Sequence, residues 1–188
     1  MNRVNLSVKL VAAGAERTEQ ILVRKDPNTT GTEADVAAQT QVMLQIRDNV
    51  NAAARTINDA ELVRAQLIAL RTVIGDGDAQ KAVLKAAADL DAKIADVEAR
   101  LFNITSTGRG QDMLRTPSQM VEKLSHLADV VSYADFAPTA SQLEVNSALT
   151  QQLSHDQEQI TGLLAKDVAI FNAMLQERKL GAIVVPAR

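Results

Sequence analysis

Apolar residues recur at steps of three and four along almost the whole chain after residue 30, and this spacing restricts the fold more than any other feature. Such steps place the apolar side chains on one face of a helix, whereas a half-buried strand would alternate every second residue. The first stripe consists of Met43, Ile46, Val50, Ala53, Ile57 and Ala60, and it resumes with a shifted phase at Val63, Leu67, Leu70 and Ile74. The pattern predicts one long helix with a slip in its seam.

Residues that start and stop helices divide the chain into four helical segments. Thr32 is a suitable N-cap for the first helix, and Gly75 begins the turn that ends it. Pro117 is expected as the first residue of the third helix, and Pro138 with Thr139 starts the fourth. The stripes of the second, third and fourth helices are Val83, Ala87, Leu90, Ile94, Val97 and Leu101; Met120, Leu124, Leu127 and Val131; and Leu149, Leu153, Ile160, Leu164, Val168, Phe171 and Leu175.

These segments predict a mainly α fold, an antiparallel bundle of about four long helices that occupies residues 29–188. Short connections favour an up-down-up-down order of neighbouring helices. A spectrin-like coil of three helices, one of them broken, is the main alternative. The seam residues expected to be buried include Ile46, Val50, Leu90, Ile94, Leu124, Ile160, Leu164 and Phe171.

Residues 1–28 have a different period and are predicted to form a short β-hairpin. Apolar and polar residues alternate over residues 4–10, and a second strand is expected at residues 18–25, after a turn at Ala13-Gly14-Ala15. Pro27 stops the second strand because proline cannot continue a hydrogen-bonded ladder. Two strands alone are marginal in water, so the hairpin needs either a helix to lie on or the rest of a larger sheet.

The composition limits the classes of function. Aromatic residues make up 2% of the chain and hydrophobic residues 46%, so the core must consist of aliphatic side chains, which favour closely packed helices. A formal charge of −3, with both signs mixed, argues against a nucleic-acid partner. The absence of cysteine excludes disulfides, thiolate metal ligands and a cysteine nucleophile. No apolar run approaches the roughly 20 residues that span a bilayer, so membrane insertion is not expected.

No arrangement of polar residues predicts a metal site. His126 and His155 have no companion that would form a metal pair at helical spacing, and a structural or solvent role is expected for each. Gly75-Asp76-Gly77-Asp78 shares only its composition with a calcium loop, because the longer ligand spacing and closing glutamate of an EF-hand are absent. A turn between helices is the expected structure there. No Glu-x-x-His motif of a di-metal bundle occurs.

Patterns typical of catalysis are also absent. Gly108-Arg109-Gly110 lacks the Lys-Ser/Thr of a phosphate loop and is predicted to be a flexible connection. Thr105, Ser106, Ser118 and Ser125 have no neighbouring histidine and acid in the arrangement of a triad. The sequence therefore predicts no catalytic, cofactor-binding or metal-binding residue, and this chain is not expected to be an enzyme.

Several stretches of the chain share capping and helix-packing patterns with one protein family. They are Ile21-Leu22-Val23-Arg24-Lys25-Asp26-Pro27-Asn28, Leu114-Arg115-Thr116-Pro117, Lys123-Leu124-Ser125-His126-Leu127, Ala137-Pro138-Thr139 and Asp167-Val168-Ala169-Ile170-Phe171-Asn172-Ala173-Met174-Leu175. From about Ile21 to Val185 the chain resembles the C-terminal helical region of large bacterial exported proteins. Those proteins carry sialidase-type BNR or sortilin-like repeats in an N-terminal β-propeller.

The resemblance implies a non-catalytic C-terminal helical module with a spacer, packing or oligomerisation role. Its partners would be its own upstream β-propeller and immunoglobulin-like modules, or further copies of the chain. The hairpin would then be the end of the immunoglobulin-like module. Any glycosidase-like surface would lie on the propeller, so no family site residue is carried onto this chain, which lacks the BNR motif and has no tryptophan.

The resemblance also implies export, as a periplasmic, outer-membrane-associated or extracellular part of a longer chain. Residues 1–5 lack the apolar core of a signal peptide. The chain is therefore expected to be either cytosolic or a piece of a longer exported protein. A free-standing cytosolic helical-bundle or coiled-coil adaptor is the alternative function.

Overall fold

The computed structural model describes residues 4–103 and 116–186, and it is mainly helical with a two-stranded antiparallel hairpin first, as the apolar spacing predicts. The hairpin consists of β1 (Val4–Ala12) and β2 (Ala15–Val23). The described helices are α1 (Glu33–Ile74), α2 (Lys81–Leu101), α3 (Met120–Ser132), α4 (Ala140–Gly162) and α5 (Val168–Glu177), with a π-helical turn at Leu163–Asp167 between the last two.

The hairpin is longer at its turn than the sequence pattern predicts. Ala13 and Gly14 have φ angles of 50° and 79°, and both central residues of a tight type I′ turn need positive φ. This two-residue turn lets the ladder continue to the pair Ala12 and Ala15. The expected strands at residues 4–10 and 18–25 therefore have the wrong bounds next to the turn, where the first strand ends at Ala12 and the second begins at Ala15. The second strand was also extended too far, because β2 ends at Val23.

Side-chain caps fix where the long helices begin, as the sequence predicts for α1 and α4. The Thr32 hydroxyl accepts a hydrogen bond from the Asp35 backbone N–H, and the Asp35 carboxylate accepts one from the Thr32 backbone N–H. Thr139 and Gln142 make the same reciprocal pair at the start of α4. Each pair satisfies two backbone donors that the first turn of a helix cannot use internally.

Helix α3 begins later than expected. Pro117 was predicted to be its first residue, but the helix starts at Met120 and Pro117 lies in the preceding loop. The Glu122 carboxylate accepts a hydrogen bond from the backbone N–H of Gln119 at 3.0 Å, which makes Gln119 the capping position. A carboxylate in the first turn also favours the positive end of the helix dipole, so the cap overrides the positional preference of proline.

The buried seam of α1 runs without the slip that the sequence pattern suggested. Its buried positions follow alternating steps of four and three, with half-buried Asn49 in the gap between Ile46 and Ala53. The buried residues are Val42, Ile46, Ala53, Thr56, Ala60, Val63, Leu67 and Leu70. The predicted slip is wrong because two seam positions carry the polar residues Asn49 and Thr56, which an apolar pattern passes over. A strict seven-residue repeat is the pattern of a left-handed coil of helices.

Helix α4 runs parallel to α1, which an up-down-up-down order would not allow. Three side-chain hydrogen bonds join the two helices, and in each the partners lie 101 positions apart. These bonds link Gln45 with Asn146, Asn49 with Thr150, and Thr56 with Gln157. A constant offset in the same direction is possible only if both helices advance together.

Helices α2 and α3 together form the leg that runs opposite to α1. The Gln39 amide, near the start of α1, donates to the carbonyl oxygens of Val131 and Ala134 at the end of α3. One core cluster joins the second half of α1 to α2 and α5, and another joins its first half to α3 and α4. Three helices thus meet at each level, which corresponds to the three-helix coil with one broken helix rather than the four-helix order.

The aliphatic core forms where the sequence stripes predict it. Val50 is half-buried, and the other expected seam residues are buried. Leu101 ends α2 and packs with Met120 and Leu124 of α3, so the core continues across the break between these helices.

The π-helical turn keeps the seam of the last helical leg in phase. Buried positions in α4 follow steps of three and four as far as Ile160, but Leu164 and Val168 are then each reached by a step of four. These two steps cover eight residues, one more than the seven of a step of three and a step of four. A π-helical turn accommodates one extra residue, so the apolar face stays directed towards α1 and α2.

Truncating Ile94 or Leu164 to alanine should lower the free energy of unfolding by about 2–5 kcal/mol, because each buried side chain would leave a cavity. Ile170 is exposed on α5, and Ile170→Ala should change the free energy of unfolding by less than about 0.5 kcal/mol. Urea denaturation followed by circular dichroism measures all three variants. Equal losses in the buried and the exposed variants would show that the seam is assigned to the wrong face.

Gly31 lies where the chain enters α1 and is tightly enclosed. It is buried, and a Cβ atom built on it would lie 1.6 Å from the carbonyl oxygen of Asp135, in the connection between α3 and α4. Only a residue without a side chain permits this backbone approach. Gly162, in contrast, has nothing within 4 Å of such an atom and has helical dihedral angles.

Gly31→Ala should destabilise the protein by about 1–3 kcal/mol, because the methyl group must displace the α3–α4 connection. Gly162→Ala adds the same methyl group in open space within a helix and should stabilise it by about 1 kcal/mol. Thermal unfolding of the two variants compares them directly. A neutral Gly31→Ala variant would mean that residues 24–32 do not pack against Asp135.

Candidate functional site

Charged side chains meet inside the bundle between α1 and α2. Arg64 of α1 donates from Nε to Asp91 Oδ1 at 2.8 Å and from Nη1 to Glu98 Oε2 at 2.6 Å. Asp91 and Glu98 are seven positions apart on α2, so they lie on the same face, two turns from each other. One guanidinium therefore holds two acids of a neighbouring helix by charge-assisted hydrogen bonds, which fixes the register of α1 against α2.

Glu98 is the most enclosed charge of this group. Its side chain is 0% exposed, and its Oε1 atom has no hydrogen-bond partner among the described residues. Burial raises the pKa of Glu98 above its ordinary value, because an ionised carboxylate is poorly solvated there. Arg64 opposes this shift and the negative charge of Glu61 reinforces it. The net result is a carboxyl group that holds its proton more tightly in the folded protein than in the unfolded chain.

A second charged group joins α2 to α4. Arg100 of α2 donates from Nε to Asp156 Oδ1 at 2.9 Å, and its other nitrogens contact Asp96 and Gln159. Asp156 lies on the seam of α4 with its side chain 2% exposed. Its Oδ2 atom has no partner among residues 4–103 and 116–186. Both groups place carboxylates in the seam and pair each with an arginine from the adjoining helix.

The two histidines occupy exposed positions on different helices. His126 lies on α3, and His155 lies on α4, where its Nε2 atom is 2.7 Å from the amide nitrogen of Gln159. Because Gln159 also contacts Arg100, His155 borders the second charged group at the surface. Within the part of the chain that the structure describes, no three histidine, aspartate or glutamate side chains are grouped so that they could hold a metal ion.

The residues of Gly75-Asp76-Gly77-Asp78 form the turn between α1 and α2, as the sequence predicts. Gly75 has a φ of 76°, and its backbone N–H donates to the Arg71 carbonyl oxygen. The side chain of Arg71 pairs with Asp76 at 3.2 Å, and Lys81 pairs with Asp78 at 2.5 Å. Both acids are exposed and paired with cations of the adjoining helices, so they do not converge on a common point.

The remaining candidate residues are not brought together by the described structure. Ser118 is exposed in the loop before α3, and Ser125 donates its hydroxyl hydrogen to the Val121 carbonyl oxygen within α3. The other candidates, Thr105, Ser106 and Gly108-Arg109-Gly110, lie outside the described residues.

The buried charges suit a structural role better than a chemical one. The carboxylates of Glu98 and Asp156 are enclosed by packed helices, so a substrate could reach them only if the helices separated. A buried arginine–carboxylate pair offers little net stability, since its desolvation is costly, but an incorrect pairing would leave a charge unpaired. We infer that the arrangement favours one alignment of α1, α2 and α4.

The hairpin presents an exposed apolar face. Cross-strand pairing puts Leu6 opposite Ile21, and Val8 and Leu10 opposite Glu19 and Arg17, on the same side of the ladder. Large apolar side chains on this side are 46–64% exposed, and they are Leu6, Val8, Leu10, Ile21 and Val23. Leu22, on the opposite side, is the one described strand residue that reaches half-burial. The hairpin therefore lies on none of the described helices, and a helix was the first of its two expected environments.

Both long edges of the hairpin are also unpaired within the described structure, since its sheet has only two strands. Unpaired backbone donors and acceptors along a strand edge are a template for another strand. Charges lie near the tip, where Lys9 pairs with Glu16 at 2.7 Å and Arg17 with Glu19 at 2.9 Å. The surface that the structure offers to another molecule is thus an apolar face with strand edges on both sides.

No protein-family model matches the chain, and no curated protein or solved structure is significantly similar to it. None of the described helices is long and apolar enough to cross a membrane.

The buried charges were not identified from the sequence, although a signal for one of them exists. The described seam of α4 includes Asn146 and Asp156, at the same steps of three and four as its apolar residues. A polar residue at such a position indicates a buried hydrogen-bonded group. The partners Arg64 and Arg100 lie beside the seam rather than on it, so only the three-dimensional packing identifies them.

Glu98 should make the stability of the protein depend on pH. Because its pKa is raised in the folded state, its protonated form stabilises folding below the unfolded value of about 4.5, and this contribution disappears as pH rises through the folded pKa. Between pH 4.5 and pH 7 the protein should therefore lose stability relative to a Glu98→Gln variant. Denaturant unfolding at both pH values measures the difference.

The matched control is Asp89→Asn, which removes an exposed acid from the same helix, where it pairs with Lys85. Its effect on the free energy of unfolding should be below about 1 kcal/mol at both pH values, as for surface ion pairs in general. If the difference between the native protein and Glu98→Gln is independent of pH, the enclosed carboxylate does not retain its proton.

Proposed function

We propose that this chain is a non-catalytic helical module, the C-terminal part of an exported protein that resembles BNR/sialidase-like glycosyl hydrolases or sortilin-like β-propeller proteins. In that role the bundle is a spacer and packing element, and the hairpin attaches it to a neighbouring β-sheet. The observation that carries the proposal is the apolar face of the hairpin, which none of the described helices covers.

The chemistry of the hairpin favours a sheet as its neighbour. A hairpin with strands of nine residues, mostly apolar residues on one side and mostly polar residues on the other, is typical of a strand pair that covers a sheet core. Two strands bury too little surface to be stable alone. An immunoglobulin-like module directly upstream, of which the hairpin forms the last two strands, would both cover the face and pair an edge. This module is part of the proposal.

The buried charges support the spacer role. A spacer needs one stiff arrangement of its helices rather than a cavity for a ligand. The pairs made by Arg64 with Glu98 and by Arg100 with Asp156 lock the three helical legs at mid-length.

A free-standing cytosolic helical-bundle or coiled-coil adaptor remains the second candidate. The observation in its favour is a set of apolar side chains on the outer surface of α1. Leu62, Ile68 and Val73 are 56–78% exposed in the second half of this helix. An adaptor would bind its partner through this helical surface, whereas the exported module would bind through the hairpin.

The genomic sequence upstream of Met1 distinguishes the two candidates. An open reading frame that continues upstream through a signal peptide, a β-propeller and an immunoglobulin-like module supports the exported module. A stop codon directly upstream, with a ribosome-binding site before Met1, would contradict it and favour the adaptor.

Leu6→Lys and Asn5→Lys form a matched pair that tests the hairpin, because both add one charge to β1 but on opposite faces. In the chain alone, both should change the free energy of unfolding by less than about 0.5 kcal/mol, and strand amides should exchange with solvent rapidly. In the protein extended to include its upstream domain, only Leu6→Lys should destabilise the hairpin, as measured by hydrogen exchange.

Two outcomes would contradict this role of the hairpin. If Leu6→Lys destabilises the isolated chain by more than about 1 kcal/mol, the apolar face packs on the bundle instead. If both lysine variants behave alike in the extended protein, the face is not an interface.

A further inference from the structure

The C-terminal segment after α5 is held by two side-chain amides that bind its backbone. The Ile183 N–H donates to Asn172 Oδ1 at 2.7 Å, and Asn172 Nδ2 donates back to the Ile183 carbonyl oxygen at 2.9 Å. Gln66 makes the same reciprocal pair with Val184, with both distances 2.8 Å. Asn172 lies on α5 and Gln66 on α1, so the extended segment lies in the groove between these two helices.

One side chain anchors the segment. Ile183 is 6% exposed and belongs to the core cluster that contains Leu67, Phe171 and Leu175. Val184 is 69% exposed and Val185 is 37% exposed. The groove therefore recognises the backbone N–H and C=O of two consecutive residues and one β-branched apolar side chain. These are the features by which proteins bind extended peptides.

A strained turn connects the segment to α5. Lys179 has a φ of 58°, in the left-handed region that residues with a side chain rarely adopt. Its N–H donates to the Gln176 carbonyl oxygen, and the Leu180 N–H donates to that of Leu175, which folds the chain back on the helix end. Opening this turn would relieve the strain at Lys179 but would break these local bonds and withdraw the segment from the groove.

We propose that the groove between α1 and α5 is a peptide-docking site that residues 182–186 fill within their own chain, and that the same segment of a second copy fills by exchange. We choose a second copy as the occupant because the structure shows this segment bound in the groove, and every copy of the chain carries the same segment. Exchange between two copies would preserve all four amide hydrogen bonds and the burial of Ile183. The two closed turns would open. In domain swapping the exchanged segment makes the same contacts in the other copy, so the contacts of the turns are the ones that are lost.

The proposal does not depend on the proposed function, because the hairpin makes none of these contacts. A dimer formed by tail exchange should therefore persist in the Leu6→Lys variant. A dimer formed by the apolar face of the hairpin should be lost in it.

Sedimentation velocity of two turn variants tests the exchange. Lys179→Val puts a β-branched residue where φ is positive and should open the turn, whereas Lys179→Gly removes the strain and should keep it closed. We expect the Lys179→Val chain to dimerise at least about tenfold more tightly than the Lys179→Gly chain, a change of about 1.4 kcal/mol. Adding Ile183→Asp to Lys179→Val should abolish the dimer. Equal association of the two turn variants, or a dimer that survives Ile183→Asp, would overturn the proposal.

A labelled peptide provides a second measurement that does not require a stable dimer. A fluorescent peptide of residues 180–186 should bind the Lys179→Val chain saturably in an anisotropy titration. The same peptide with Ile183→Asp should bind at least about tenfold more weakly. If neither peptide binds, or both bind equally, the groove does not recognise the segment.

Discussion

The rest of the structure depends on the uninterrupted seam of α1. From Val42 to Leu70 its inward positions alternate by four and three, and the core clusters along it join residues of α2, α3, α4 and α5. Small aliphatic side chains let these helices approach closely, which compensates for the near absence of aromatic fillers. The opposite leg consists of two described helices, α2 ending at Leu101 and α3 beginning at Met120, whereas α1 is one continuous helix. A slip in the α1 seam would have separated the two core clusters.

Apolar burial alone would not select one alignment of such similar helices. Aliphatic seams with a seven-residue repeat tolerate shifts of a whole repeat, since each shift again places apolar positions opposite one another. The hydrogen bonds at a constant offset between α1 and α4, and the arginines that reach buried carboxylates on α2 and α4, remove this freedom. A shifted α2 would leave Glu98 buried without Arg64. We infer that these polar groups provide specificity, while the desolvated Glu98 reduces stability at neutral pH.

Local sequence patterns predicted the helices, caps and turns well. They predicted the relative directions of the helices and the contacts between them poorly. The stripes, the caps at Thr32 and Thr139 and the turn at Gly75 follow from short-range physics, and each is present. The seam of α1 was predicted with a slip because two of its positions carry the polar residues Asn49 and Thr56, which a search for apolar residues does not count. The parallel direction of α4 depends on which helices stack, which local periodicity does not encode. The buried charges and the tail groove join residues far apart in sequence, so only the packed structure identifies them.

The two proposed interaction surfaces lie at different levels of the same long helix. Residues 24–32 join the hairpin to the start of α1 at Glu33, whereas Gln66, which binds the tail, lies 33 residues further along α1. At 1.5 Å per residue this separation is roughly 50 Å. A rigid helix of that length would hold a sheet partner at one end and a second copy at the other without contact between them. A spacer that both attaches and pairs copies requires this separation, since overlapping surfaces would make the two contacts compete. The length of α1 would then set the distance between the two partners.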